Sequence, residues 1–153
     1  ASPHALLLFT RWPEPGRTKT RLIPALGAEG ASDLQRRMTE QAVGRAWAFC
    51  ATTGTQLRIA HEGGTPAQLR EWLGPLAFEP QAGGDLGARL TQAMLRAHAA
   101  GATKIVMVGS DCPALAEKHL CRAFAALDSH DLVLLPVHDG GYALIGLRQP
   151  QQG

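Results

Sequence analysis

Short apolar runs alternate with helical patterns along this chain. Ala5 to Phe9 (ALLLF), Gln56 to Ala60, Ile105 to Val108 (IVMV), Asp131 to Pro136 (DLVLLP) and Ala143 to Leu147 read as strands. The run Ile105–Val108 is continuous and rich in β-branched residues, the pattern of a strand covered on both faces of a parallel sheet; DLVLLP reads as a further buried strand. Between the runs, apolar residues recur every three or four positions. Leu34, Met38, Ala42, Ala46 and Phe49 make one helix, with Ser32 or Asp33 as its cap and Trp47 close to its core face. Thr65 to Leu73 makes a short second one. Leu86, Leu90, Met94 and Ala97 make a third, capped by Asp85 and ended by Gly101. Leu120, Phe124 and Leu127 place a fourth over about Glu117 to Asp128, with Cys121 packed as a small apolar residue. Strands alternating with helices give an α/β fold with a mostly parallel sheet.

The polar interruptions carry the candidate chemistry. Thr10 to Leu22 (TRWPEPGRTKTRL) holds two prolines, one glycine and four basic side chains, so it should be an irregular loop. Gly16 permits close backbone approach, Lys19 supplies a point charge and Arg21 a planar fork for phosphate oxygens, with Arg11 and Thr20 beside them. That set can clamp a diphosphate; the plainer alternative is a solvated basic loop. A P-loop is excluded by spacing, since Thr18 stands where the glycine before the lysine must be. Gly83 and Gly84, ahead of the helix that Asp85 caps, could let a ligand approach its first-turn amides near Gly87. Asp111 follows the run 105–108 after Gly109 and Ser110, and Asp139 follows DLVLLP. Neighbouring strands would bring both carboxylates to one cleft, where a hard cation, Mg²⁺ or Mn²⁺, would bind them and a substrate phosphate. A turn aspartate bonding backbone amides is the ordinary alternative for Asp111. His61 and Glu62, before two glycines, read as surface, His138 as an exposed loop residue, and Arg96 and His98 have no evident partner.

Composition narrows the setting. A chain of 153 residues, 45% hydrophobic and 18% charged, fits one globular domain over 1–153, with no linker or repeat. Net charge is +2, but Arg11, Arg17, Lys19 and Arg21 against Glu14 concentrate +3 in the first 22 residues. A local basic cluster suits a small anion better than a nucleic-acid backbone, which calls for a broader stripe. Cys50, Cys112 and Cys121 show neither a zinc spacing nor an even count, so they read as reduced thiols in a cytoplasmic protein. No apolar run is long enough to span a bilayer, the first residues do not resemble a signal peptide, and a chain opening without methionine reads as trimmed.

Four segments, FTRWPEPGRTKTRL at 9–22, GDLGARL at 84–90, VGSDCPAL at 108–115 and LLPVHDGGYALIGL at 134–147, together resemble a bacterial glycosyltransferase family. Its fold is the GT-A, nucleotide-diphosphosugar transferase type; it was long described as a domain of unknown function and is sometimes linked to arsenosugar biosynthesis. Molybdenum-cofactor and phospholactate guanylyltransferases share that fold and a similar basic loop. The resemblance implies a three-layer α/β/α domain and a metal-dependent transferase that takes a nucleotide-diphosphate-sugar donor and a small-molecule acceptor. A nucleotidylyltransferase joining NTP to a phosphorylated acceptor, or a non-catalytic nucleotide-binding module, are the alternatives. By the same resemblance Gly16, Lys19 and Arg21 hold the nucleotide diphosphate, Asp85 to Arg89 lie near the nucleotide, Asp111 binds metal, and Asp139 serves the acceptor or the metal. It also implies a continuation past Leu147 with more sheet and a further acidic motif, where this chain ends in RQPQQG.

Overall fold

A computed structural model of the chain describes residues 3–13, 23–81, 83–110, 112, 115–137 and 142–148. Six strands, β1 (His4–Arg11), β2 (Gln56–Glu62), β3 (Ala77–Pro80), β4 (Lys104–Gly109), β5 (Leu132–Pro136) and β6 (Tyr142–Arg148), form one sheet in the order β3-β2-β1-β4-β6-β5. β1 pairs in parallel with β2 and with β4, and β2 in parallel with β3. β6 runs antiparallel to both β4 and β5. The mostly parallel sheet expected from the alternation is therefore present, with one reversed strand near its end.

Among the described residues four helices cover it: α1 (Ile23–Thr53), α2 (Pro66–Leu73), α3 (Leu86–Ala99) and α4 (Glu117–Ala126). On one face Leu6 and Leu8 of β1, Ile59 of β2 and Val106 and Val108 of β4 pack under Val43, Ala46 and Phe49 of α1 and Leu120 and Phe124 of α4. Phe49 stacks on Phe124 with ring centroids 5.7 Å apart. On the other face Ala5, Leu7, Ile105 and Met107 pack under Ala93 and Ala97 of α3. Period-two alternation in β1 and β4 sends successive side chains to opposite layers, and each layer is covered. The result is the three-layer α/β/α arrangement.

Several expectations need correction. The first long helix begins at Ile23, with a break at Gly27 (φ 75°), so neither Ser32 nor Asp33 caps it. Both lie inside the helix, where Asp33 instead pairs with Arg36 and Arg37. Trp47 is 56% exposed, beside rather than on the packed stripe of Val43, Ala46 and Phe49. β2 continues to Glu62, because its parallel register with β1 runs through to Arg11↔Glu62, and β3 is a strand that no apolar run in the sequence marks. Leu86 opens α3 at 68% exposure, outside the face carried by Ala93 and Ala97. Cys121 is exposed on α4, whereas Leu120, Phe124 and Leu127 point inward as expected. β5 is the outermost strand, with Leu132 and Leu134 exposed, so DLVLLP is not buried. Arg96 and His98 do have partners, the carbonyls of Pro80 and Ala102.

Candidate functional site

The crossovers diverge at the middle of the sheet. From β1 the chain moves outward through β2 to β3, then returns to add β4 on β1's other side. Open α/β sheets leave a crevice beyond the carboxyl ends of the strands at such a point. Here the crevice is flanked by Arg11 and Trp12 at the end of β1, by Glu62 at the end of β2, and by Gly109 and Ser110 at the end of β4.

A buried polar knot fixes its floor. The Thr10 hydroxyl bonds those of Thr39, at 2.7 Å, and Ser110, at 2.9 Å. The Gln35 amide donates to Thr39, at 2.9 Å, and to Ser110, at 3.4 Å. All four side chains are buried. Each satisfies the others, so three elements, β1, α1 and the turn after β4, are held in one register without an orphaned polar group. The backbone adds to it: Ser110 N–H donates to the Phe9 carbonyl at 3.0 Å. Basic loop and turn thus start from adjoining, tethered positions.

On the α3 side of the sheet the strand ends are charged. Glu62 Oε2 accepts from Arg11 at 2.9 Å and lies 3.3 Å from an Arg89 guanidinium nitrogen. Arg89 also donates to the Gly84 carbonyl at 3.2 Å and to Gln81 Oε1 at 3.5 Å. Gln81 in turn donates to the carbonyls of Thr10 and Ala60. Two cations share one carboxylate, which leaves a net positive set at the crevice mouth. Asp85 caps α3 as expected, its Oδ1 accepting from Ala88 N–H at 2.8 Å. Gly84 adopts φ 103°, a conformation that favours glycine. At Gly87 an added Cβ would meet only Asp85 Oδ1, at 3.5 Å, so the chain's own packing does not demand glycine there.

Among the described residues, two cavities flank the crevice on the α1 and α4 side. One, about 500 Å³, is lined by Trp12, Pro13, Arg36, Gln68, Glu71 and Trp72. Trp12 meets Trp72 edge to face at 5.7 Å, and the Trp72 indole donates to Glu40 at 2.8 Å. The other, about 470 Å³, is lined by Cys112, Leu115, His119, Leu135, Pro136, Val137 and Ala143.

Of the residues expected to bind nucleotide or metal, Arg11, Asp85 and Gly87 belong to the described residues, on the β1, β2 and α3 side of the crevice. Gly16, Lys19, Thr20, Arg21, Asp111 and Asp139 lie outside them, as does His138. The stretches that bracket the two aspartates are described. β4 ends at Gly109, and the link from Pro136 to Tyr142 leaves and enters the sheet at that same edge, since Pro136 pairs with Tyr142 and Val108 with Leu144. The strands that carry these links are not neighbours, however: β6 stands between β4 and β5. Among the described residues no three His, Cys, Asp or Glu side chains gather as a metal site.

His61 and Glu62 are not an idle surface pair. His61 is 1% exposed, with Nδ1 bonded to the Gly63 carbonyl at 2.9 Å, and Glu62 joins the two arginines. No motif marks Gln81, Gln35 and Thr39 in the sequence, because their roles depend on which strand ends lie side by side.

The family model described as "Uncharacterized protein conserved in bacteria (DUF2064)" matches residues 46–153, more than half of the chain. The chain belongs to this family. A solved structure described as a "putative nucleotide-diphospho-sugar transferase" from Desulfovibrio desulfuricans G20 is 35% identical and superposes with a TM-score of 0.86, covering 97% of this chain and 64% of that one. The family member here thus spans just under two thirds of that relative's length. CMP:2-keto-3-deoxy-manno-octonic acid synthetase complexed with CTP superposes at TM-score 0.55 and 13% identity, over 88% of this chain and 52% of the other. A 4-diphosphocytidyl-2C-methyl-D-erythritol synthase from Anaerococcus prevotii DSM 20548 does so at 0.54 and 10%, over 95% and 70%. These last two share the fold. No curated protein matches the chain. No helix among the described residues is long and apolar enough to cross a membrane.

Proposed function

We propose that the chain is a metal-dependent transferase that takes a nucleotide-diphosphate-sugar donor and passes the sugar to a small-molecule acceptor. The observation that carries this reading is the crevice at the sheet's switch point, with Arg11, Glu62 and Arg89 on one side and the tethered start of the basic loop at its floor, in a chain 35% identical to a structure described as a "putative nucleotide-diphospho-sugar transferase". In this reading Arg11, Gly16, Lys19, Thr20 and Arg21 hold the diphosphate, and Asp85 and Gly87 lie along the nucleotide. Cations there offset the negative charge that grows on the diphosphate as it leaves. Asp111 and Asp139 supply hard oxygen donors, the set that Mg²⁺ or Mn²⁺ accepts alongside phosphate and water. Bound there, such an ion would act as a Lewis acid on the diphosphate.

Calorimetry with a panel of nucleoside diphosphates, with and without Mn²⁺, tests the proposal. Metal-dependent binding that Asp111→Ala abolishes is the expected result; binding indifferent to Mn²⁺ or to Asp111→Ala overturns it. A second reading, a nucleotidylyltransferase acting on NTP and a phosphorylated acceptor, is supported by the fold shared with a synthetase complexed with CTP. Pyrophosphate release from NTP would favour that reading, and free sugar released from nucleotide-sugar the first. Nucleotide binding with neither product would instead mark a non-catalytic binding module.

A further inference from the structure

The cavity of about 470 Å³ beyond β4 differs in chemistry from the rest of the crevice. Leu115, Leu135, Pro136, Val137 and Ala143 give it apolar walls, and none of its described lining residues is a lysine or arginine. The stretches that frame it run directly into the two aspartates: Cys112 follows Asp111, and Val137 and Ala143 lie on either side of Asp139 in the chain. Its volume suits a small organic molecule. Among the described lining, the polar ring is that of His119. Its Nδ1 accepts the Ala116 N–H at 2.8 Å, so in the neutral ring the proton sits on Nε2, where it can donate to an oxygen. None of the described lining residues carries a positive charge that would offset a phosphate placed against these walls.

Resting on the donor reading above, we propose that this cavity receives the acceptor, and that the acceptor is an uncharged small molecule with an apolar body and a hydroxyl group. In the transfer, the acceptor oxygen forms a bond to the anomeric carbon of the donor sugar while that carbon's bond to the diphosphate oxygen breaks. The electron pair of the broken bond leaves with the nucleoside diphosphate, and the hydroxyl proton passes to solvent. The charged side of the crevice then serves the donor and the apolar side the acceptor.

The test uses two probes with the same body, 1-naphthol and 1-naphthyl phosphate, titrated by saturation-transfer NMR and calorimetry. Nucleoside diphosphate with Mn²⁺ is titrated separately into the same preparations. Naphthol should bind about tenfold or more tightly than its phosphate ester. Val137→Glu, at an exposed lining position, and Leu135→Asp should each weaken naphthol about tenfold while nucleotide affinity and the thermal midpoint of Val137→Glu stay unchanged. Equal or tighter binding of the phosphate ester, naphthol binding unaffected by Val137→Glu, or no naphthol binding overturns the proposal. Loss of nucleotide binding in the unmodified chain would instead overturn the donor reading, so the two failures read out separately.

Discussion

The two halves of the sheet have opposite characters at the edge where the crevice opens. On the β3-β2-β1 side the strands are parallel and end in ion pairs and buried hydrogen bonds: Arg11, Glu62, Arg89 and Gln81 on one face, Thr10 and Thr39 on the other. On the β4-β6-β5 side the pairing is antiparallel beyond β4, and the edge is apolar, with Leu135, Pro136 and Val137 around a cavity and Leu134 open to solvent. The first half is cross-braced between several elements; the second leaves apolar surface for something else to cover. In the transfer proposed above, that asymmetry would separate an anionic donor from a neutral acceptor.

Stability should follow the same division. The largest effect is expected in the braced centre: Leu6→Ala, at a fully buried position of β1, should cost about 2–5 kcal/mol in urea unfolding. Leu134→Ala, the same substitution at a 41% exposed site of β5, should cost under about 1 kcal/mol. Similar losses at both would erase the contrast. Next comes the polar knot. Thr39→Val leaves Thr10 and Gln35 each short of a partner and should cost about 1–3 kcal/mol by the same measurement. Glu62→Ala should change stability by less than about 1 kcal/mol, since its ion pairs are partly exposed. It should nonetheless weaken nucleotide binding in calorimetry, because Arg11 and Arg89 lose the carboxylate that positions them.

The smallest effect concerns pH. His4 stacks on Phe124 at 5.5 Å, and burial, then the nearby Lys104 charge, hold its pKa below the ordinary 6.5. The unfolded chain therefore takes up a proton first on acidification. The contribution is fully present above pH 6.5 and is lost as pH falls below that value toward the folded pKa. His4→Phe should flatten the decline in the urea midpoint below pH 6.5.

How far the sequence could be read follows from how local each signal was. The run 105–108 and the helices over Leu34–Phe49 and Leu120–Leu127 announce themselves because burial on a fixed face imposes a period that residues close in sequence must keep. The end of β2 did not. Gly63 and Gly64 look like a loop, and only the pairing of β1 with β2 carries His61 and Glu62 into the sheet. β3 has four residues, AFEP, too few to show a period. DLVLLP was legible as a strand but not as an outer one, since an apolar run reads the same whether or not a helix covers it. The candidate site divides similarly. The basic loop and the aspartates at 111 and 139 were visible as motifs, whereas Gln35, Thr39 and Gln81 each also bond a partner 21 to 75 residues away in the chain, and no local pattern points to them.

The position of β5 also bears on how the protein behaves in concentrated solution. A sheet's last strand presents unpaired amides and carbonyls along its free side, and among the described residues β5 is last at its end of the sheet. Natural edges are commonly guarded by charge, yet Leu132 to Leu135 of β5 carry none, and Leu132 and Leu134 face water. Such an uncharged edge is open to the addition of a further strand. Leu134→Lys should raise the concentration at which light scattering first appears, with the thermal midpoint held.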